Sequence, residues 1–145
     1  MKESLIEPVL KDLPRFVDDR GSLDQVFDGV VFPAKRAYLV RNGMDVIRAW
    51  HGHKREGKML VALAGKFKIF CCSMNDVTNM RCFFLSKEKA QALYVPAGWY
   101  HGFKSFGEGW LLVFSDKTLE ESKDDDFRKV WNDIGFPSMW EVEYR

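Results

Sequence analysis

From about residue 20 to residue 115, short β-rich runs dominate, separated by turn residues such as glycine, proline, asparagine and aspartate. The runs at 22–27, 36–41, 46–50, 58–63, 66–72, 80–85, 90–95, 100–105 and 109–114 predict strands. They are rich in β-branched and aromatic residues and too short for independent helices. Between them stand the turn signals Asp28-Gly29, Asn42-Gly43, Ala64-Gly65, Met74-Asn75-Asp76, Pro96-Ala97-Gly98 and Phe106-Gly107-Glu108-Gly109. Their regular spacing is that of an all-β sandwich or barrel. In the run from Leu60 to Phe70, the first half is apolar throughout, as for a strand covered on both sides. The second half alternates Lys66, Phe67, Lys68 and Ile69, which predicts one wet side.

After residue 115 the pattern changes. Phe127, Val130 and Trp131 recur at helical spacing behind Asp124-Asp125-Asp126, a carboxylate cluster suited to a helix N-terminus. A short C-terminal helix over about 124–133, packed on a barrel of about 20–115, is therefore expected. With no repeat, linker or low-complexity segment, residues 1–145 read as one domain.

Composition supports a filled interior: 46% of the residues are hydrophobic and 14% aromatic, with 12 Phe and 5 Trp. Charge is nearly balanced at a formal +1, which offers no basic field for a nucleic-acid backbone. No apolar run is long enough to span a membrane, and Met1 to Pro8 lacks the pattern of a secretory leader. A soluble, cytoplasmic protein is expected. Cys71, Cys72 and Cys82 lack CxxC spacing, so they read as buried reduced thiols rather than zinc ligands.

The candidate chemistry lies in the chain's three histidines, which fall in two segments, Arg48-Ala49-Trp50-His51-Gly52-His53-Lys54-Arg55-Glu56-Gly57-Lys58 and Pro96-Ala97-Gly98-Trp99-Tyr100-His101-Gly102-Phe103. On a strand, His51 and His53 share a face with Ala49, while Trp50 and Gly52 face the other way. Two chemistries fit. His51, His53 and His101 with Glu56 make a plausible metal ligand set. Alternatively, an imidazole acts as general base while a cation holds the resulting enolate. Arg48, Lys54, Arg55 and Lys58 oppose a divalent cation and favour an anionic substrate, which tilts the reading toward metal-free proton transfer.

Phe16-Val17-Asp18-Asp19-Arg20-Gly21-Ser22-Leu23, Arg48-Ala49-Trp50-His51, Lys58-Met59-Leu60, Gly65, the Pro96–Phe103 segment and Trp131-Asn132-Asp133 follow one another in an order that resembles the dTDP-4-dehydrorhamnose 3,5-epimerase family. The resemblance implies a cupin (jelly-roll) β-barrel and a homodimer with no cofactor. The substrate would be a nucleoside-diphosphate 4-keto-6-deoxy sugar, in deoxysugar or cell-surface polysaccharide biosynthesis. It makes His51 the base, Asp133 the carboxylate orienting that ring, and Lys58 the cation near the enolate oxygen. Arg20 and Arg48 would meet sugar and diphosphate, with Arg20 on an arm exchanged between subunits and His101 lining the substrate site. The family's acid is a tyrosine on the strand after the His-Gly-Phe turn. Counting along this chain brings Phe114 there, which cannot donate a proton. Lys35-Arg36-Ala37-Tyr38 followed by His51-Gly52-His53-Lys54 is also similar to the dTDP-sugar 3,4-ketoisomerases. In that branch His53 with Tyr38 or Tyr100 would supply the second proton relay. A metal-dependent or purely ligand-binding cupin is the alternative of another class.

Overall fold

The computed structural model describes residues 6–30 and 32–145. Five of the eight residues from Met1 to Pro8, expected to lack a leader, lie outside the described residues. The first strands are β1 (Val9–Asp12), β2 (Arg15–Asp18), β3 (Gly21–Asp24), β4 (Arg36–Asn42) and β5 (Ile47–His53). They are followed by β6 (Lys58–Ser73), β7 (Met80–Ser86), β8 (Gln91–Val95), β9 (Trp99–Ser115) and β10 (Phe127–Arg128).

β6 and β9 are the spine. They run antiparallel from Lys58 opposite Ser115 to Ser73 opposite Trp99. Each serves two layers: β6 pairs with β8 through 58–61 and with β7 through 66–72. β9 pairs with β5 near its start and with β4 over 109–115. The sequence pattern predicts two strands in each of these stretches because Gly65 and Gly107 look like turns. The structure makes them bends within continuous strands. Gly65 has φ +75°, and a Cβ there would come within 2.4 Å of the Glu108 carbonyl, so only glycine fits. Register shifts between Ala62 and Lys66 also change which parity faces inward. Leu60 and Ala62 are interior before the bend, and Phe67, Ile69 and Cys71 after it.

Between the layers lies a core that includes Leu60, Phe67, Ile69, Trp99, Phe103, Leu111 and Val113. The outer face of one layer carries Trp50, Phe70, Cys72 and Tyr100, which Ile134, Met139 and Trp140 cover. The outer face of the other carries Met59, Val61, Tyr94 and Phe114, covered by Phe32. Cys71 and Cys72 thus point to opposite sides, both buried, whereas Cys82 is exposed, contrary to the expectation that all three are buried.

No α-helix forms at 124–133. Phe127 and Arg128 instead pair with Gly52 and His51 as a short edge strand, and a 3-10 turn follows at Pro137–Trp140. The apolar periodicity there has another cause: Phe127 packs against the Trp50–Trp140 cluster, while Val130 and Trp131 stay exposed. No described helix is long and apolar enough to cross a membrane. The β2–β3 hairpin forms a separate two-stranded sheet with every residue exposed.

Candidate active site

β5 and β9 bring the histidines together. His51 lies opposite His101 and His53 opposite Trp99, so all three imidazoles share the inner face of one layer. Ring centroids are 6.2 Å apart for His51 and His101, and 6.0 Å for His53 and His101. A bulge between Arg48 and His51 shifts the parity of β5, so Ala49 joins Trp50 in the outer cluster rather than sharing the histidines' face. Gly52 is required by close approach: a Cβ there would sit 2.6 Å from the Tyr100 ring.

Two consecutive aspartates hold the two β5 histidines. His51 Nδ1 lies 3.6 Å from Asp126 Oδ1. His53 Nδ1 donates to the Asp125 carbonyl oxygen at 2.5 Å. The Asp125 carboxylate in turn accepts from the backbone N–H groups of Lys54, Arg55 and Glu56, which fixes the turn after His53. Burial pushes the Asp125 carboxyl up, but those three bonds outweigh it and leave it below the ordinary range. Asp126 likewise ends lowered: burial raises it, and Arg128 and His51 together overcome that.

Burial is also the main influence on the imidazoles. His101 is held well below its ordinary value, first by desolvation and then by Lys58 and the other two histidines. His51 is lowered by desolvation, against the raising influence of Asp126, with Arg128 and Lys58 lowering it further. Both rings are therefore neutral bases at neutral pH.

Lys58, buried at the start of β6, donates from Nζ to the Tyr38 hydroxyl at 2.8 Å and lies 4.0 Å from Glu56 Oε1. Glu56 is itself buried, accepting from Arg36 at 2.6 Å and from Ser115 Oγ at 2.5 Å. Among the described residues no three His, Cys, Asp or Glu side chains converge to hold a metal ion, and Glu56 of the alternative ligand set is occupied by Arg36 and Ser115.

The other anticipated residues lie apart. Arg48 is exposed and donates to Asn42 Oδ1 at 2.9 Å. Arg20, at the tip of the exposed hairpin, pairs with Asp18. Asp133, expected beside His51, is exposed in a turn closed by its own N–H to the Val130 carbonyl; the carboxylate that reaches His51 is Asp126. Tyr100 alternates onto the outer face with Trp50 and Phe70, on the far side of the sheet from the histidines. Phe114 also faces outward, stacked on Phe27 with centroids 4.9 Å apart, so it does not occupy the place of an acid in this site.

Sequence reasoning missed Asp125 and Asp126 as partners of the histidines, and Arg36 as the partner of Glu56. The aspartate triplet carried a local signal, but for a helix cap. Nothing within the triplet shows that it pairs with residues 69 or more positions earlier.

A family described as FdtA, WxcM-like, C-terminal, matches residues 7–131. The chain is 21% identical over 145 residues to a spore coat polysaccharide biosynthesis protein, SpsL, of Bacillus subtilis, covering 94% of this chain and 96% of that one. Its fold is similar to that of the QdtA 3,4-ketoisomerase of Thermoanaerobacterium thermosaccharolyticum, solved with TDP: TM-score 0.72, 24% identity, 87% of this chain and 90% of that one. It is similar also to a dTDP-4-dehydrorhamnose 3,5-epimerase of Bacillus anthracis, solved with TDP and PPi: TM-score 0.79, 22% identity, 94% of this chain and 86% of that one.

Proposed function

The chain belongs to the FdtA, WxcM-like family, and from that premise we propose that it is an isomerase of a nucleoside-diphosphate 4-keto-6-deoxy sugar. The reaction we favour moves the carbonyl from C4 to C3. The observation that carries it is the pair of imidazoles on one strand face, each held at Nδ1 by one of two adjacent aspartates.

The C3 hydrogen is acidified by the neighbouring ketone. His51 removes it at Nε2, and the imidazolium that forms is stabilised through Nδ1 by the Asp126 carboxylate. The electron pair spreads over C3, C4 and the C4 oxygen, where Lys58, braced by Tyr38, supplies positive charge. A proton returned to C4, with the C3 hydroxyl proton passing to the C4 oxygen, leaves a ketone at C3 and balances the reaction. His53 stands two residues from His51 on the same face and serves as the second proton carrier. C3 epimerisation remains the competing outcome, favoured by the Tyr38 hydroxyl beside Lys58 as an acid distinct from the histidine pair.

We further propose a homodimer. A two-stranded ribbon is marginal in water on its own, yet Phe16, Val17 and Leu23 of the β2–β3 hairpin are 65%, 72% and 62% exposed. A second copy would cover them and bring Arg20 toward the partner's site. Three free cysteines suit a reducing cytoplasm, and the match to SpsL suits a role in polysaccharide biosynthesis.

Incubation with dTDP-4-keto-6-deoxyglucose in deuterated water tests the reading. A 3-keto product carrying deuterium at C4 is expected. A product that keeps its 4-keto group but exchanges at C3 would turn the assignment to epimerisation, and no exchange with any nucleotide-linked keto sugar would end both.

A further inference from the structure

The buried Glu56 carboxylate lies between Lys58 and His53. Its Oε1 accepts from Arg36 Nη2 at 2.6 Å and Ser115 Oγ at 2.5 Å, and lies 4.0 Å from Lys58 Nζ. Its Oε2 lies 3.4 Å from His53 Nδ1. That nitrogen also meets the Asp125 carbonyl oxygen, which can only accept, so the proton of the His53 ring sits on Nδ1. Nε2 of the neutral ring is then a bare lone pair. It is buried and has no hydrogen-bond partner among the described residues.

We propose that Glu56 is a positioning residue for this reaction: with the Asp125 carbonyl it locks His53 in the Nδ1–H tautomer, so that Nε2 meets the substrate as a proton acceptor. This rests on the reading of His53 as the second proton carrier. The hydrogen-bond inventory says what a neutral replacement does. In Glu56→Gln, the amide oxygen must stay where Arg36 and Ser115 both donate. The NH2 group is then forced to the side facing His53 Nδ1–H, donor against donor. The Asp125 carbonyl still favours the proton on Nδ1, but the added donor opposes it, so a larger share of the rings carries the proton on Nε2 and loses the base-ready lone pair. Glu56→Asp keeps a carboxylate that only accepts, so it creates no such conflict.

Two-bond ¹⁵N–¹H correlation spectra of ¹⁵N-histidine-labelled protein read the tautomer directly. With only three histidines in the chain, His51→Ala and His101→Ala assign the signals by elimination. The wild type is expected to show His53 protonated at Nδ1, Glu56→Gln to shift it toward Nε2–H, and Glu56→Asp to keep the wild-type pattern. In turnover, Glu56→Gln should lower kcat by roughly 10- to 100-fold with KM changed less than about threefold, and Glu56→Asp should recover part of the loss. A wild-type His53 with its proton on Nε2 overturns the proposal whether or not the variant folds. An unaltered ring pattern in Glu56→Gln does the same, and so does an altered pattern with unchanged kcat. If wild-type protein turns over no nucleotide-linked keto sugar, the isomerase reading fails on its own, and the ring spectra still decide the role of Glu56 in the tautomer.

Discussion

Replacing Asp126 by asparagine removes the carboxylate that meets the His51 ring while keeping its shape. At 3.6 Å, two unit charges attract by about 1 kcal/mol at the dielectric of water and about 5 kcal/mol at an effective value near 20. The two side chains are 37% and 43% exposed, so solvent screens them heavily. The stabilisation of a His51 imidazolium is then about 1–2 kcal/mol, a loss of roughly 5- to 30-fold in rate. The base form is not what is lost. Asp126 raises the His51 value, so its removal lowers it further and leaves the ring more fully neutral. The fall should therefore appear in kcat, with the acid limb of the pH–rate profile moved to lower pH. Deuterium wash-in from solvent at saturating substrate measures it, with Asp133→Asn as the control expected to change the rate less than about twofold. An Asp126→Asn rate within twofold of wild type, alongside a large loss in Asp133→Asn, would refute the pairing and restore Asp133 as the orienting carboxylate.

Lys58→Met keeps the stem and deletes the charge, so wash-in should slow by on the order of 10²–10³, and a variant within fivefold of wild type removes Lys58 from the enolate. His101 provides a stability test. Its folded value lies well below 6.5, so between that value and 6.5 the unfolded chain binds the extra proton and stability falls as pH falls. Tm should be level above about pH 7 and drop on acidification, as this group removes up to about 1.4 kcal/mol of stability per pH unit. His101→Gln should flatten part of that slope, and an identical slope in the variant dismisses His101 as its source. Phe16→Glu places a charge on the exposed hairpin; sedimentation should show wild-type dimer and variant monomer, and a wild type already monomeric at tens of micromolar would defeat the exchanged-arm arrangement.

Much of the barrel was legible because its signals are local. The runs 36–41, 80–85 and 90–95 are short, apolar and bounded by turn residues, and β4, β7 and β8 fall there. The long strands were divided because a glycine permitting a bend and a glycine closing a hairpin look alike in sequence; what separates them is the Glu108 carbonyl crossing beside Gly65. β1 and β2 were missed for a different reason. Four-residue strands with exposed positions have no apolar face to register, and β1 exists because β8 offers it an edge.

The site divides along the same line. Its inward face could be seen from the period-2 spacing of His51 and His53, since that spacing is a property of one strand. The bulge that turns Ala49 away was invisible because it depends on the partner strand. The aspartates that hold the histidines come from a segment with no regular structure beyond two residues of β10, where the helical spacing of Phe127, Val130 and Trp131 points to the wrong element. Asp125 shows why the helix-cap reading failed. A carboxylate that binds three successive backbone N–H groups does what an N-cap residue does, but the groups belong to the turn after His53 rather than to a helix beginning at its own position. Of the triplet, Asp125 alone does meet unpaired N–H groups, as a cap would. Which N–H groups was a question of tertiary contact, and those contacts make the aspartates part of the histidine site.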